Sequence, residues 1–243
     1  MEIRNYPDGR YEGQIYNNKR HGFGNFYYIN GTIYIGNWKN DLREGKGKER
    51  IYNNDKYEGD YLKDKREGKG IYYYHNGEKY DGEFQNDLPH GKGKYYFNNN
   101  DKYEGEFKDG NNEGKGIYYY NNGNRYEGDW RNGLKDGKGI YYFNNGDRYE
   151  GDWRNGNIEG KGIYYYNSGD RYEGEWRNHL MEGKGIYYFN NGCRYEGDYR
   201  NHKREGKGIY YYNDGRYEGD WRNNKKEKEY FIVIFAIDMK VIL

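Results

Sequence analysis

The stretch Tyr126-Glu-Gly-Asp-Trp130, Arg131-Asn-Gly-Leu-Lys-Asp136, Gly137-Lys-Gly-Ile-Tyr-Tyr-Phe143, Asn144-Asn-Gly-Asp-Arg148 decides the fold, because the same phrase starts again at Tyr149. It holds two short aromatic segments separated by Asn/Gly turns, the pattern of two strands. The first runs from Tyr126 to Trp130 and the second from Gly139 to Phe143. Arg131 to Asp136 reads as a six-residue loop between them. Asn144-Asn145-Gly146 turns the chain into the next copy. Asn and Gly tolerate the positive φ that tight hairpin turns require.

A Tyr opens the phrase at Tyr11, Tyr34, Tyr57, Tyr80, Tyr103, Tyr126, Tyr149, Tyr172 and Tyr195, each 23 residues after the last. The tenth start, Tyr217, follows after 22, one residue being lost in the turn at Asp214-Gly215. A fixed short period means a repeat architecture. Strands of this length at this spacing leave no room for helices. The prediction is all-β: an elongated, twisted antiparallel β-meander of tandem 23-residue hairpins. At ~4.8 Å per strand, ten repeats advance about 90–95 Å. The expected organisation is an N-terminal lead-in over 1–10, nine repeats over 11–216, a partial tenth over 217–228 and an apolar tail over 229–243.

Strand side chains alternate faces. Tyr126, Gly128 and Trp130 share one face, and Glu127 and Asp129 the other. The fifth repeat position is Trp38, Tyr61, Phe84, Phe107, Trp130, Trp153, Trp176, Tyr199 or Trp221, with only Ile15 non-aromatic. Aromatic ladders are therefore expected along the array, with Gly128, Gly137 and Gly139 leaving space beside the rings. Stacked rings contribute about 0.5–1.5 kcal/mol per pair beyond burial. Acids such as Glu127, Asp129, Glu150 and Asp152 face bases such as Lys138, Lys161 and Arg148, so neighbouring strands offer opposite charges. Each such pair is worth about 0.2–1 kcal/mol and fixes register on a solvated face.

Composition narrows the function classes. Lys plus Arg number 41 and Asp plus Glu 40, so no bulk field draws the chain to nucleic acid. A mean hydropathy of -1.54 would fit disorder, but 21% aromatic content does not. Cys193 is the single cysteine, which excludes a disulfide framework and a cysteine-based zinc site. Met1 to Arg10 holds no apolar signal segment, and the longest apolar run, Tyr230 to Ile237, is far shorter than a membrane helix. A soluble, cytoplasmic protein is expected.

No residue pattern in the sequence points to catalysis. Gly137-Lys138 is followed by Gly, not by the Ser or Thr of a phosphate loop. Ser168 and Cys193 both lie in turns, Cys193 at the counterpart of Asp170. His179 and His202 hold the same position in adjacent repeats, near Glu182 and Glu205, but two strand spacings, ~10 Å, are too far for one shared metal. Carboxylates such as Glu127 and Asp129 recur in every copy, whereas an active site is a unique constellation. No catalytic, cofactor-binding or metal-binding residue is assigned, and the partner-binding residues are left unassigned.

The register of Tyr-Glu-Gly-x-Trp, Gly-x-Gly, paired aromatics and a Gly turn resembles the MORN repeat (membrane occupation and recognition nexus). The resemblance implies an elongated antiparallel sheet and a non-enzymatic scaffold or adaptor for other proteins, in a cytoskeletal or ciliary assembly. It leaves two alternatives: a phosphoinositide or anionic-membrane module, and the regulatory region of a larger enzyme such as a phosphatidylinositol phosphate kinase. Peripheral membrane localisation follows from the first alternative.

Three copies depart from the pattern. The repeat at Tyr34 has Ile35 for the acid and Lys48-Glu49-Arg50 where aromatics belong, which reads as a weak rung or a kink. The first has Ile15 for Trp. The tenth keeps Trp221 but has Lys228 and Tyr230 where glycines belong. The tail is expected to pair as a strand, capping the last repeat or forming a homodimer through that end.

Overall fold

The computed structural model describes residues 1–227 and 231–232. Every regular element among them is a strand, β1 to β22 in chain order. They fall into two compact units. The first is Met1–Asn121 with Trp130–Gly133, and the second is Asn122–Asp129 with Leu134–Leu243.

In the first unit lie β1 (Glu2–Tyr6), β2 (Gly9–Tyr16), β3 (Lys19–Tyr28), β4 (Ile33–Lys39), β5 (Leu42–Arg50) and β6 (Lys56–Leu62). They are followed by β7 (Lys65–Tyr73), β8 (Lys79–Gln85), β9 (Leu88–Tyr96), β10 (Lys102–Lys108) and β11 (Asn111–Tyr119). Each pairs antiparallel with the next. Then come β12 (Arg125–Arg131) and β13 (Leu134–Tyr142). The second unit continues through β14 (Arg148–Arg154), β15 (Asn157–Tyr165), β16 (Arg171–Arg177) and β17 (Leu180–Tyr188). Last are β18 (Arg194–Arg200), β19 (Lys203–Tyr211), β20 (Arg216–Arg222), β21 (Lys225–Lys226) and β22 (Phe231–Ile232). The meander expected from the period is present.

The six-residue loop is not. Asn132-Gly133 alone joins β12 to β13, and Asn155-Gly156 alone joins β14 to β15. Both residues of the second turn have positive φ, 47° at Asn155 and 83° at Gly156, the signature of the two-residue turn that suits strand twist. Leu134 to Asp136 therefore belong to strand. A bulge follows within the repeat hairpins from β2–β3 to β10–β11 and from β14–β15 to β18–β19. Trp153 faces Ile158 and Gly151 faces Gly162, with the register shifting between Gly151 and Trp153. Gly160, with a φ of 75°, takes up the extra residue.

In each unit the core is a layer of rings laid on one side of its strands. The repeat tyrosines, from Tyr11 to Tyr217, are fully buried. From Tyr11 to Tyr195 each lies flat across two facing glycines. A Cβ at Gly162 would sit 2.5 Å from Tyr149 Cε2, which is why only glycine fits beneath the ring. The buried phenol is not left unsatisfied, since Tyr149 Oη donates to the Asp152 carbonyl at 3.1 Å. Trp153 stands edge-on between Tyr149 (5.6 Å, 82°) and Tyr126 (5.1 Å, 76°). Its Nε1 donates to the Gly139 carbonyl at 3.3 Å. Long side chains roof this layer. Arg20 lies 4.3 Å over Trp38 in the first unit. In the second, Arg204 lies 4.4 Å over Trp221, and Ile158 and Met181 are buried.

The repeat at Tyr34 is a regular rung and not a kink. Tyr34, Ile35 and Gly36 pair with Glu49, Lys48 and Gly47, and the register shift falls at the same place as in other hairpins. Glu49 takes the ring-face position of Tyr72 and meets Arg43 Nη1 at 2.7 Å and Tyr61 Oη at 3.1 Å. The lead-in is itself a strand, because β1 pairs with β2. The tail proposed as cap or interface lies outside the described residues, except for the backbone of Phe231 and Ile232, which faces Tyr217 and Arg216.

Candidate functional site

The two faces of the sheet do different things. The ring face is closed by its own side chains. The opposite face carries charged ladders on either side of a row of glycines. Cross-strand ion pairs run along it: Lys46 to Asp60 at 2.7 Å and Lys48 to Glu58 at 2.8 Å in the first unit, and Lys138 to Asp152 at 2.5 Å in the second. These pairs are well exposed and contribute little individually. Most bases preceding a repeat Tyr do something the charge pattern did not reveal, because they stack on rings. Arg148 lies 4.2 Å over Tyr165 and Arg171 lies 4.3 Å over Tyr188.

In the first unit this ladder face forms a groove of about 870 Å³. Its floor is the glycine row Gly36, Gly47, Gly59, Gly70 and Gly82, whose members face one another across successive strands. One wall carries Phe23, Asn37, Lys46, Lys69, Glu83 and Lys92, and the other Ile35, Lys48, Glu58, Ile71 and Asp81. The groove runs across the strands, along the array. At its N-terminal end two positions that hold charge in other copies are apolar: Phe23 stands where Lys138 stands later, and Ile35 where Glu127 stands. Phe23 is 50% exposed and Ile35 41%. Register brings them together, since Phe23 faces Asn37 and Ile35 faces Asn25 on adjoining strands. The sequence marks Ile35 as a departure and its period puts Phe23 at the lysine position, but that the two meet at one end of the groove follows only from the register of β3 and β4.

The residues considered for chemistry have structural duties. His179 and His202 are second turn residues whose Nδ1 accepts backbone N–H groups from Ile158 at 3.5 Å and Met181 at 3.4 Å. Asp41 does the same for Arg20 at 2.8 Å, and Asn224 for Arg204 at 2.8 Å. Burial lowers the pKa of both histidines, with the positive charge of Lys135 adding to the effect at His179. The neutral ring that results is the one able to accept. Glu182 and Glu205 accept the N–H of Asn201 at 3.1 Å and Asn223 at 2.9 Å, the first residue of the following turn. No three His, Cys, Asp or Glu residues are grouped to hold a metal among the described residues.

A second turn ladder runs on the other edge. In the second unit, Asp147 accepts Tyr164 Oη at 2.7 Å and Asn167 N–H at 2.8 Å. In the first, Asp55 accepts Tyr72 Oη at 2.8 Å and His75 N–H at 2.8 Å. Burial pushes the Asp55 carboxyl up, but the hydrogen bonds from Tyr72, His75 and Asn53 outweigh it and hold it at about 2. Cys193 is buried at the matching position beside Tyr210. Ser168 caps a turn, its carbonyl accepting Asn190 Nδ2 at 2.8 Å.

An antiparallel meander of hairpins, with one face closed by rings and the other laddered with charge, defines a tandem β-hairpin repeat protein. The chain belongs to the MORN repeat family, which matches residues 11–33, 34–56, 57–79, 80–102, 103–125, 126–148, 149–171, 172–194, 195–215 and 217–227. A comparison with curated proteins returns no match. Among solved structures, the fold is similar to the TCP10 domain of Danio rerio CPAP in complex with a peptide of STIL. That likeness has a TM-score of 0.54 and 13% identity, over 92% of this chain and 99% of that one. The TCP domain of Drosophila melanogaster SAS-4 in complex with a proline-rich motif of Ana2 is matched at a TM-score of 0.33 and 18% identity, over 74% of this chain and 85% of that one.

Proposed function

We propose that this protein is a non-enzymatic scaffold or adaptor that binds other proteins through the ladder face of its sheet, in a cytoskeletal or ciliary assembly. The observation that carries the reading is the half-exposed apolar pair Phe23 and Ile35 at the head of an open groove. Exposed apolar surface rimmed by polar groups is what an interaction site presents. Repetition without a unique cluster of reactive groups fits a binding surface better than a catalytic one. Support also comes from the fold similarity to a domain solved with a peptide of a partner protein. Against an anionic lipid, three lysines of the ladder face, Lys46, Lys138 and Lys184, are paired with acids at 2.7, 2.5 and 2.6 Å, so the face offers no unbroken lysine row.

Proximity labelling by the full chain in its own cell tests this. A stable set of labelled proteins that shrinks on Phe23→Asp with Ile35→Glu supports the reading. Labelling indistinguishable from that of a freely diffusing control overturns it.

A further inference from the structure

We infer that the groove of the first unit binds a partner segment in polyproline II conformation, with an apolar residue at one end and carboxylates on every third residue after it. This deepens the scaffold reading and rests on it.

Lys46, Lys69 and Lys92 occupy one wall on successive hairpins, so they recur every two strand spacings, about 9.6 Å. A polyproline II segment advances about 9.3 Å in three residues. Side chains three residues apart on such a segment therefore stay in step with the lysines. A fully extended strand does not, since its same-face residues recur at about 6.8 Å.

Charge selects the sign. Lys46 and Lys48 are already ion-paired, to Asp60 and Glu58. Lys69 and Lys92 are exposed and have no ion pair among the described residues. The acid facing Lys69 is Glu83, whose carboxylate accepts the Lys92 backbone N–H at 3.4 Å. Two ammonium groups, one hairpin apart and outside any ion pair among the described residues, are the ones that take the ligand's carboxylates, with Glu83 and Asp81 also on the walls. The other end of the groove offers Phe23 and Ile35 to an apolar side chain.

The floor explains why the backbone of the ligand needs no partner here. The glycines beneath it belong to interior strands, whose backbone groups serve the sheet ladder. Recognition is by side chains alone. A polyproline II backbone, which makes no internal hydrogen bonds and is already ordered, suits such a surface. From β3 to β9 the groove spans six strand spacings, about 29 Å, which a segment of about nine residues fills.

The test is fluorescence anisotropy of the full chain with a labelled peptide carrying a Leu-Leu head and three Pro-Pro-Glu triplets. The control peptide has the same composition with its glutamates contiguous. The triplet peptide is expected to bind and the control to bind at least about fivefold more weakly, as exposed ion pairs allow. Lys69→Glu with Lys92→Glu should weaken the triplet peptide by a similar factor, and replacing its glutamates with lysines should restore binding to that variant. This charge swap separates a lost contact from a misfolded sheet. Equal binding of both peptides, or no effect of the swap, overturns the inference. Binding of phosphatidylserine vesicles that is lost in the Lys69→Glu, Lys92→Glu variant, with no peptide binding, overturns it in favour of lipid. If these peptides fail while proximity labelling still depends on Phe23 and Ile35, the scaffold reading stands and only the ligand class falls.

Discussion

The carboxylate of Glu49 lies 2.7 Å from the guanidinium of Arg43, on the face where every neighbouring hairpin places rings, with side chains only 10% and 17% exposed. Glu49 also accepts from Tyr61 Oη at 3.1 Å. An ion pair has thus replaced an aromatic rung within an otherwise apolar layer. Breaking a shielded pair from one side strands the other charge. Arg43 keeps a second acid, Asp64, at 3.4 Å. Glu49→Ala should therefore cost about 1–3 kcal/mol, less than a fully isolated pair would. Glu49→Tyr, which restores the ring of the other copies, should cost less than Glu49→Ala. Chemical denaturation of the two variants checks the order.

Trp153→Ala removes a ring held between Tyr126 and Tyr149 and should cost about 3–5 kcal/mol. Repeats depend mainly on their nearest neighbours, so the damage should stay local. Hydrogen exchange should show lost protection in β12 to β17 and little change in β18 to β20. Uniform loss throughout the second unit would contradict this.

Two glycines of one hairpin should respond oppositely. Gly162→Ala drives a methyl to 2.5 Å from the Tyr149 ring, an overpacking that costs about 1–3 kcal/mol or more. Gly156 has nothing within 4 Å of its would-be Cβ and a φ of 83°. Asn tolerates that region, and Asn18 holds the equivalent φ of 64° in the first hairpin. Gly156→Asn should be close to neutral. Thermal melting of both variants decides the point.

The histidine turns should make the second unit sensitive to mild acid. Burial lowers the folded-state pKa of His179 and His202. The unfolded chain then binds more protons as pH drops below about 6.5. Their contribution is complete above that value and is lost as pH falls from it through the lower folded-state pKa. Asn224 shows that an amide can fill the same acceptor role, at 2.8 Å from the Arg204 nitrogen. His179→Asn with His202→Asn should therefore flatten the dependence between pH 7 and pH 5. An unchanged slope would show that these turns do not titrate.

The period of 23 and the alternation of Tyr126, Gly128 and Trp130 made the hairpins and the ring face legible from the sequence. The turns were misjudged because Leu134, Lys135 and Asp136 look like loop by composition. A two-residue turn followed by a bulge puts them in strand, and polarity carries no sign of a bulge. Ile35 and Glu49 were read as weaknesses for a related reason. Each breaks the consensus, but what it does depends on the strand beside it. Ile35 joins Phe23 only through the register of β3 and β4, and Glu49 finds Arg43 only across the bulge of β5. The groove could not be read from the chain because its walls are assembled from strands up to 69 positions apart, from Phe23 to Lys92.

On the proposed reading the two faces divide the labour: the ring face folds the protein and the ladder face of the first unit recognises its partner. The most direct measurement pairs thermal melting with proximity labelling for one variant, Phe23→Asp, Ile35→Glu, Lys69→Glu and Lys92→Glu combined. All four side chains are exposed, so melting should stay within a few degrees of the parent while the labelled set is lost. A variant that melts normally and still labels the full set would contradict the account.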